Sequence, residues 1–213
     1  MNKIRTNLNA IWISFFSLIL GLHCYHPQKN NYNEQIIGLF LQKRVALYGD
    51  SISAFWPDEL LKPMVVSKIA FPNRNSAQIL QAALDTNTYF DFCIYNGGAN
   101  DYLGDFSIIS QDRLDQTVNN QKETFKKLLK QCGYTLALGV YYVEPPWPVF
   151  AAPQLNQRMK ERISEVPIFD LSLVVKQNML MDGGHLTYDG YKVISESIVK
   201  LLNPIQYGTV NSR

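Results

Sequence analysis

Short apolar runs alternate along this chain with longer amphipathic stretches, and that alternation limits the fold more than any other feature of the sequence. Residues 44–48 (RVALY) form a compact apolar run closed by Gly49, the pattern of a strand buried on both faces. Residues 64–71 repeat it and are broken by Pro72, residues 89–96 repeat it again, residues 135–143 are stopped by Pro145 and Pro146, and 166–169 form a last short run. Between them lie helical segments: one capped at Ser76 and running to Leu84, then 111–130, 154–164 and 188–202. Apolar strands alternating with amphipathic helices predict an α/β domain, a three-layer α/β/α sandwich on a central parallel sheet. In such a fold, functional residues gather outside the carboxyl ends of the strands.

The segments outside this alternation read differently. Residues 1–24 begin with Lys3 and Arg5 and continue into an apolar run from Ile11 to Leu22, the shape of a signal peptide. Twelve apolar positions are short for a bilayer span, so export with cleavage is expected, giving a periplasmic, secreted or membrane-anchored protein. Cys24 closes a stretch similar to a bacterial lipobox, with His23 where a small residue is usual; lipidation there and membrane attachment through it are one option beside simple secretion. Residues 25–42 read as a polar tether with a short docking helix, 43–205 as the folded domain and 206–213 as a tail.

With 213 residues, 46% of them hydrophobic, there is material for one core. The net charge of +2 and the scattered Lys and Arg give no basic face for tracking phosphates, so nucleic acid is not an expected partner. Cys93 and Cys132 are expected as two buried thiols. Cys93 falls well inside its strand and Cys132 before the next, a stagger that exceeds the ~7 Å Cα limit for a bridge at ~3.3 Å per residue.

The residues able to do chemistry fall at the ends of these runs. Gly49-Asp50-Ser51 follows the first strand, where glycine allows a sharp turn and leaves a serine facing the crevice. Asn96-Gly97-Gly98-Ala99-Asn100-Asp101 follows another, with backbone N–H groups and the Asn100 amide able to stabilise an oxyanion. Asp182-Gly183-Gly184-His185 precedes the last helix, a carboxylate three residues from an imidazole. Serine needs an imidazole to take its proton, and the imidazole needs a partner to fix its tautomer. Outside the leader and tether, which hold His23 and His26, His185 is the one histidine, so a histidine base must be His185 and a histidine-rich metal site is not expected.

In this order the segments resemble the SGNH hydrolases, also called the GDSL family of esterases and lipases. GDSIS at residue 49 is similar to that family's first block, GGAND at 97 to its third and DGGH at 182 to its last; the resemblance covers about residues 44–202. It implies an SGNH-type, flavodoxin-like sheet and cleavage of carboxylic esters of sugars, lipids or small alcohols through an acyl-serine. Ser51 would be the nucleophile, His185 the base and Asp182 its partner, with no metal or organic cofactor. The oxyanion hole would use the Ser51 N–H, the Asn100 side chain and a residue of the second block, where Asn73 stands in place of a glycine. Gly49, Asp50, Gly98 and Asp101 would support these loops. Trp56, Tyr102 and the stretch from Tyr141 and Tyr142 to Trp147 are candidates for an acyl pocket and equally for ordinary core. A catalytically inactive binding protein of the same fold, or a sugar O-acyltransferase, remain alternatives.

Overall fold

The computed structural model of the protein describes residues 43–206, apart from Tyr142. The expected signal peptide, Cys24, the tether and the tail beyond residue 206 lie outside the described residues. Five parallel strands form one sheet: β1 (Arg44–Gly49), β2 (Val65–Ala70), β3 (Phe90–Asn96), β4 (Cys132–Leu138) and β5 (Ile168–Phe169), in the order β2-β1-β3-β4-β5. The helices are α1 (Ser51–Ala54), α2 (Ser76–Asp85), α3 (Gln111–Gln131), α4 (Ala151–Arg162) and α5 (Tyr188–Gln206).

Residues of alternate parity in the strands serve the two faces of the sheet. Ala46, Tyr48, Cys93, Tyr95 and Ala137 join Ile79 and Ala83 of α2, Val118 and Phe125 of α3, and Leu155 and Met159 of α4 in one buried cluster. Val45, Leu47, Ile94 and Leu136, of the other parity, are buried too, as are Ile194, Ile198 and Leu202 of α5. Two hydrogen bonds tie α5 to the segment after β1: Trp56 Nε1 donates to Ser195 Oγ (2.9 Å) and Tyr191 Oη to the Ile52 carbonyl (3.1 Å). The three-layer α/β/α expectation is met.

Element ends depart from the sequence reading for identifiable reasons. The cap of α2 is Asn75, not Ser76: its side chain accepts from the Gln78 N–H while Gln78 Oε1 accepts from the Asn75 N–H, a reciprocal box. Ser76 instead donates to Asp101 Oδ1 at 2.6 Å. Strand β4 ends at Leu138 rather than 143. There the Asn156 side-chain amide of α4 takes both backbone groups of Val140, accepting from its N–H (2.7 Å) and donating to its carbonyl (2.6 Å). Val140 therefore needs no strand partner, and the chain is free to leave the sheet toward the carboxyl edge.

Cys93 and Cys132 are joined in a disulfide, which corrects the expectation of two free thiols. That expectation placed a linker between helix and strand, but α3 ends at Gln131 and β4 starts at Cys132 with nothing between them. The ladder sets Cys132 level with Phe90, three residues before Cys93, so the bridge is diagonal. The Cα separation decides closure, and at 5.9 Å it lies inside the range a disulfide spans.

Candidate active site

The loops that carry Ser51 and Asn100 leave the carboxyl ends of β1 and β3, which are neighbours in the sheet. β1 runs into Gly49, whose added Cβ would lie 2.3 Å from the Asn96 carbonyl oxygen and 2.7 Å from Ser53 Oγ. Only glycine fits between β1 and the end of β3 there. Asp50 then caps α1, accepting from the Ile52 N–H at 3.0 Å, and Ser51 opens that helix. The first N–H groups of a helix have no partner within it, so the Ser51 amide has no acceptor inside α1.

His185 Nε2 lies 3.0 Å from Ser51 Oγ, and His185 Nδ1 lies 2.7 Å from Asp182 Oδ2. The three side chains, 134 residues apart at the extremes, form a continuous relay. The second carboxylate oxygen, Asp182 Oδ1, accepts from the backbone N–H groups of His185 (2.7 Å) and Gly184 (3.0 Å). Desolvation would raise the Asp182 carboxyl, but the His185 ring and these two N–H groups outweigh it and bring it down to about 2. The carboxylate is therefore ionised wherever the imidazole needs a counter-charge.

Asp50 behaves oppositely. Burial, the dominant influence, raises its carboxyl to about 7 against the Ile52 N–H and the charge of His185. Asp101 is also raised by burial, against the Ser76 hydroxyl and N–H that it accepts. Asp101 ties the loop after β3 to the start of α2. Gly98, at φ 112°, sits where an added Cβ would meet Gln121 and Leu155, so the loop packs closely on α3 and α4.

A cleft opens beside Ser51, lined by Asn96, Asn100, Val140, Tyr141, Val143, Trp147 and His185 among others. Asn100 Nδ2 donates to the Arg74 carbonyl at 3.0 Å, which leaves its second N–H free of that bond and anchors the loop holding Asn73. Asn73 takes the left-handed conformation, φ 65°, as an asparagine in a glycine position can. Its side chain is exposed and does not line the cleft. The structure thus brings Ser51, Asn100, Asp182 and His185 together and keeps Asn73 at the second turn, joined to Asn100 through its neighbour.

The aromatic candidates divide. Trp56 and Tyr102 have no exposed surface and are core: Trp56 packs on Tyr191, and Tyr102 bonds Thr117 Oγ1 at 2.7 Å. Tyr141 and Trp147 line the cleft, and Trp147 stands edge-on to the His185 ring at 4.8 Å between centroids. Phe55 lies on His185 as well, at 5.7 Å. Tyr142 lies outside the described residues. Val143, within the stretch the sequence offered, lines the cleft as well, and so do Val140 and Pro148; Val140 was not singled out because an apolar run reads as strand until its end is known.

The sequence matches no protein-family model and no curated protein. The fold has many solved counterparts. A carbohydrate acetylesterase from Sinorhizobium meliloti is 15% identical, with a TM-score of 0.60 over 77% of this chain and 100% of that one. An inhibitor-bound M. smegmatis aryl esterase is 16% identical, with a TM-score of 0.59 over 76% of this chain and 99% of its own. A GDSL-like lipase from Bacteroides thetaiotaomicron is 17% identical, with a TM-score of 0.56 over 84% and 98%. The parallel sheet, its strand order and these counterparts agree that the chain has the fold of the SGNH, or GDSL-type, acylhydrolases.

Proposed function

We propose that this protein is an exported serine esterase that cleaves carboxylic esters with short acyl groups. The observation that carries the reading is the unbroken relay from Ser51 Oγ through His185 to Asp182, at 3.0 and 2.7 Å. His185 Nε2 takes the serine proton as Oγ attacks the ester carbonyl, and Asp182 holds the ring in the tautomer that leaves Nε2 unprotonated. The oxyanion forms against the Ser51 N–H and the Asn100 amide. His185 then returns the proton to the departing alcohol, and water, activated by the same ring, releases the acyl group.

The cleft supports a small acyl group. Its volume, open mouth included, is about 470 Å³, and Val140, Val143 and Trp147 wall it beside Ser51, so a short acyl group carried on Ser51 lies against apolar side chains. The carbohydrate acetylesterase among the structural counterparts fits an acetylated sugar as one substrate class. The disulfide supports export, since such bonds persist in oxidising compartments.

The test is hydrolysis of p-nitrophenyl acetate and octanoate by the full chain, with Ser51→Ala and Asp182→Asn beside it. Acetate should exceed octanoate in kcat/KM by at least about tenfold. Ser51→Ala should remove turnover, and Asp182→Asn should cut kcat by roughly 10³–10⁴. Equal rates for the two esters would contradict the short acyl pocket, and turnover surviving in Ser51→Ala would contradict the nucleophile.

A further inference from the structure

The loop between β4 and α4 makes three hydrogen bonds to three consecutive carbonyls of the segment that carries the Asp182 and His185 side chains. Trp147 Nε1 donates to the Asp182 carbonyl (3.2 Å), the Glu144 N–H to the Gly183 carbonyl (2.7 Å) and the Tyr141 hydroxyl to the Gly184 carbonyl (2.6 Å). A planar trans peptide points its C=O and N–H in opposite directions. The peptide whose carbonyl meets Glu144 carries the Gly184 N–H, and the peptide whose carbonyl meets Tyr141 carries the His185 N–H. Both of those N–H groups point at Asp182 Oδ1.

We propose that Tyr141, the Glu144 amide and Trp147 are positioning groups for the Asp182–His185 pair. Held on their outer edges, the two peptides turn their inner edges toward the carboxylate, so Oδ1 is fixed and Oδ2 is left to grip His185 Nδ1. The arrangement is packed as well as bonded. An added Cβ on Gly184 would lie 2.4 Å from the Trp147 ring, so the indole lies flush on this peptide and reaches the His185 ring from the same position. Tyr141 is buried, and burial pushes its hydroxyl well above the ordinary range, so it stays a donor throughout the working pH range. Glu144 is held in turn by Gln177, whose side chain donates to it.

The kinetic part of this inference rests on the serine esterase reading, and its structural part does not. The test uses the full chain with Tyr141→Phe, which removes only the hydroxyl, and Trp147→Phe, which keeps a ring and removes the indole donor. Two quantities are read: kcat and KM on p-nitrophenyl acetate, and the low-field proton NMR signal of His185 Nδ1–H. In each variant kcat should fall about tenfold with KM within about twofold, and the Nδ1 proton signal should move upfield or broaden as the grip of Asp182 loosens. An unchanged signal in both variants would overturn the proposal, whatever the rates. A rise in KM at constant kcat would also overturn it, making these residues walls of the substrate site. Should the wild type hydrolyse no ester, the esterase reading fails while the NMR comparison still judges the clamp. Should Tyr141→Phe fail to fold, Trp147→Phe, at a half-buried position, carries the comparison alone.

Discussion

Asp50 directly precedes Ser51 with 4% of its surface exposed, and its carboxyl is raised to about 7 chiefly by burial. Its unfolded value is near 3.9, so between about pH 4 and 7 the folded state holds this proton more tightly than the unfolded chain does. Its contribution therefore makes stability fall as pH rises through that window, by up to about 1.4 kcal/mol per pH unit. Asp50→Asn keeps an oxygen for the Ile52 N–H and removes the charge. Melting curves at pH 5 and 8 should show a smaller loss across that interval in Asp50→Asn, with Tm at pH 8 raised by several degrees; an unchanged pH dependence would contradict the buried charge. At this scale the sequence was readable where the contact is local. The Asp182–His185 bond joins residues three apart, and Asn73 takes the positive φ its residue type allows. It was not readable for Tyr141 and Glu144, whose partners lie 43 and 39 residues further along. Nor could composition separate Trp56 and Tyr102, which are core, from Trp147, which lies on the histidine.

The positions of strands and helices along the chain followed from periodicity, because a parallel sheet needs continuous apolar runs and helices need a stripe. The ends of β4 did not follow, since one end depends on helix α3 joining it without a linker and the other on the Asn156 amide replacing a strand neighbour. The same missing linker hid the disulfide. That bond closes a loop with a sequence separation of 39, and on the chain-entropy account a loop of this size is worth about 4 kcal/mol. Urea unfolding with and without dithiothreitol should show a clearly lower midpoint after reduction, and the same loss in Cys93→Ser/Cys132→Ser. An unchanged midpoint would mean that the bridge adds nothing to β3, α3 and β4 beyond their packing.

Across the whole molecule, the sheet brings loops from distant parts of the sequence to one edge, where Ser51, Asn100 and His185 share a cleft. The fold accounts for the assembly. On the proposed mechanism the relay makes one serine hydroxyl far more nucleophilic than the rest, so the reactivity of that hydroxyl is the quantity to measure. The direct experiment is labelling of the folded full chain with a fluorophosphonate, followed by mass spectrometry of the modified peptide. One label per chain is expected, on Ser51, absent from Ser51→Ala and slowed by roughly 10³ or more in His185→Ala. A folded protein that takes up no label, or one labelled equally in Ser51→Ala, would contradict it.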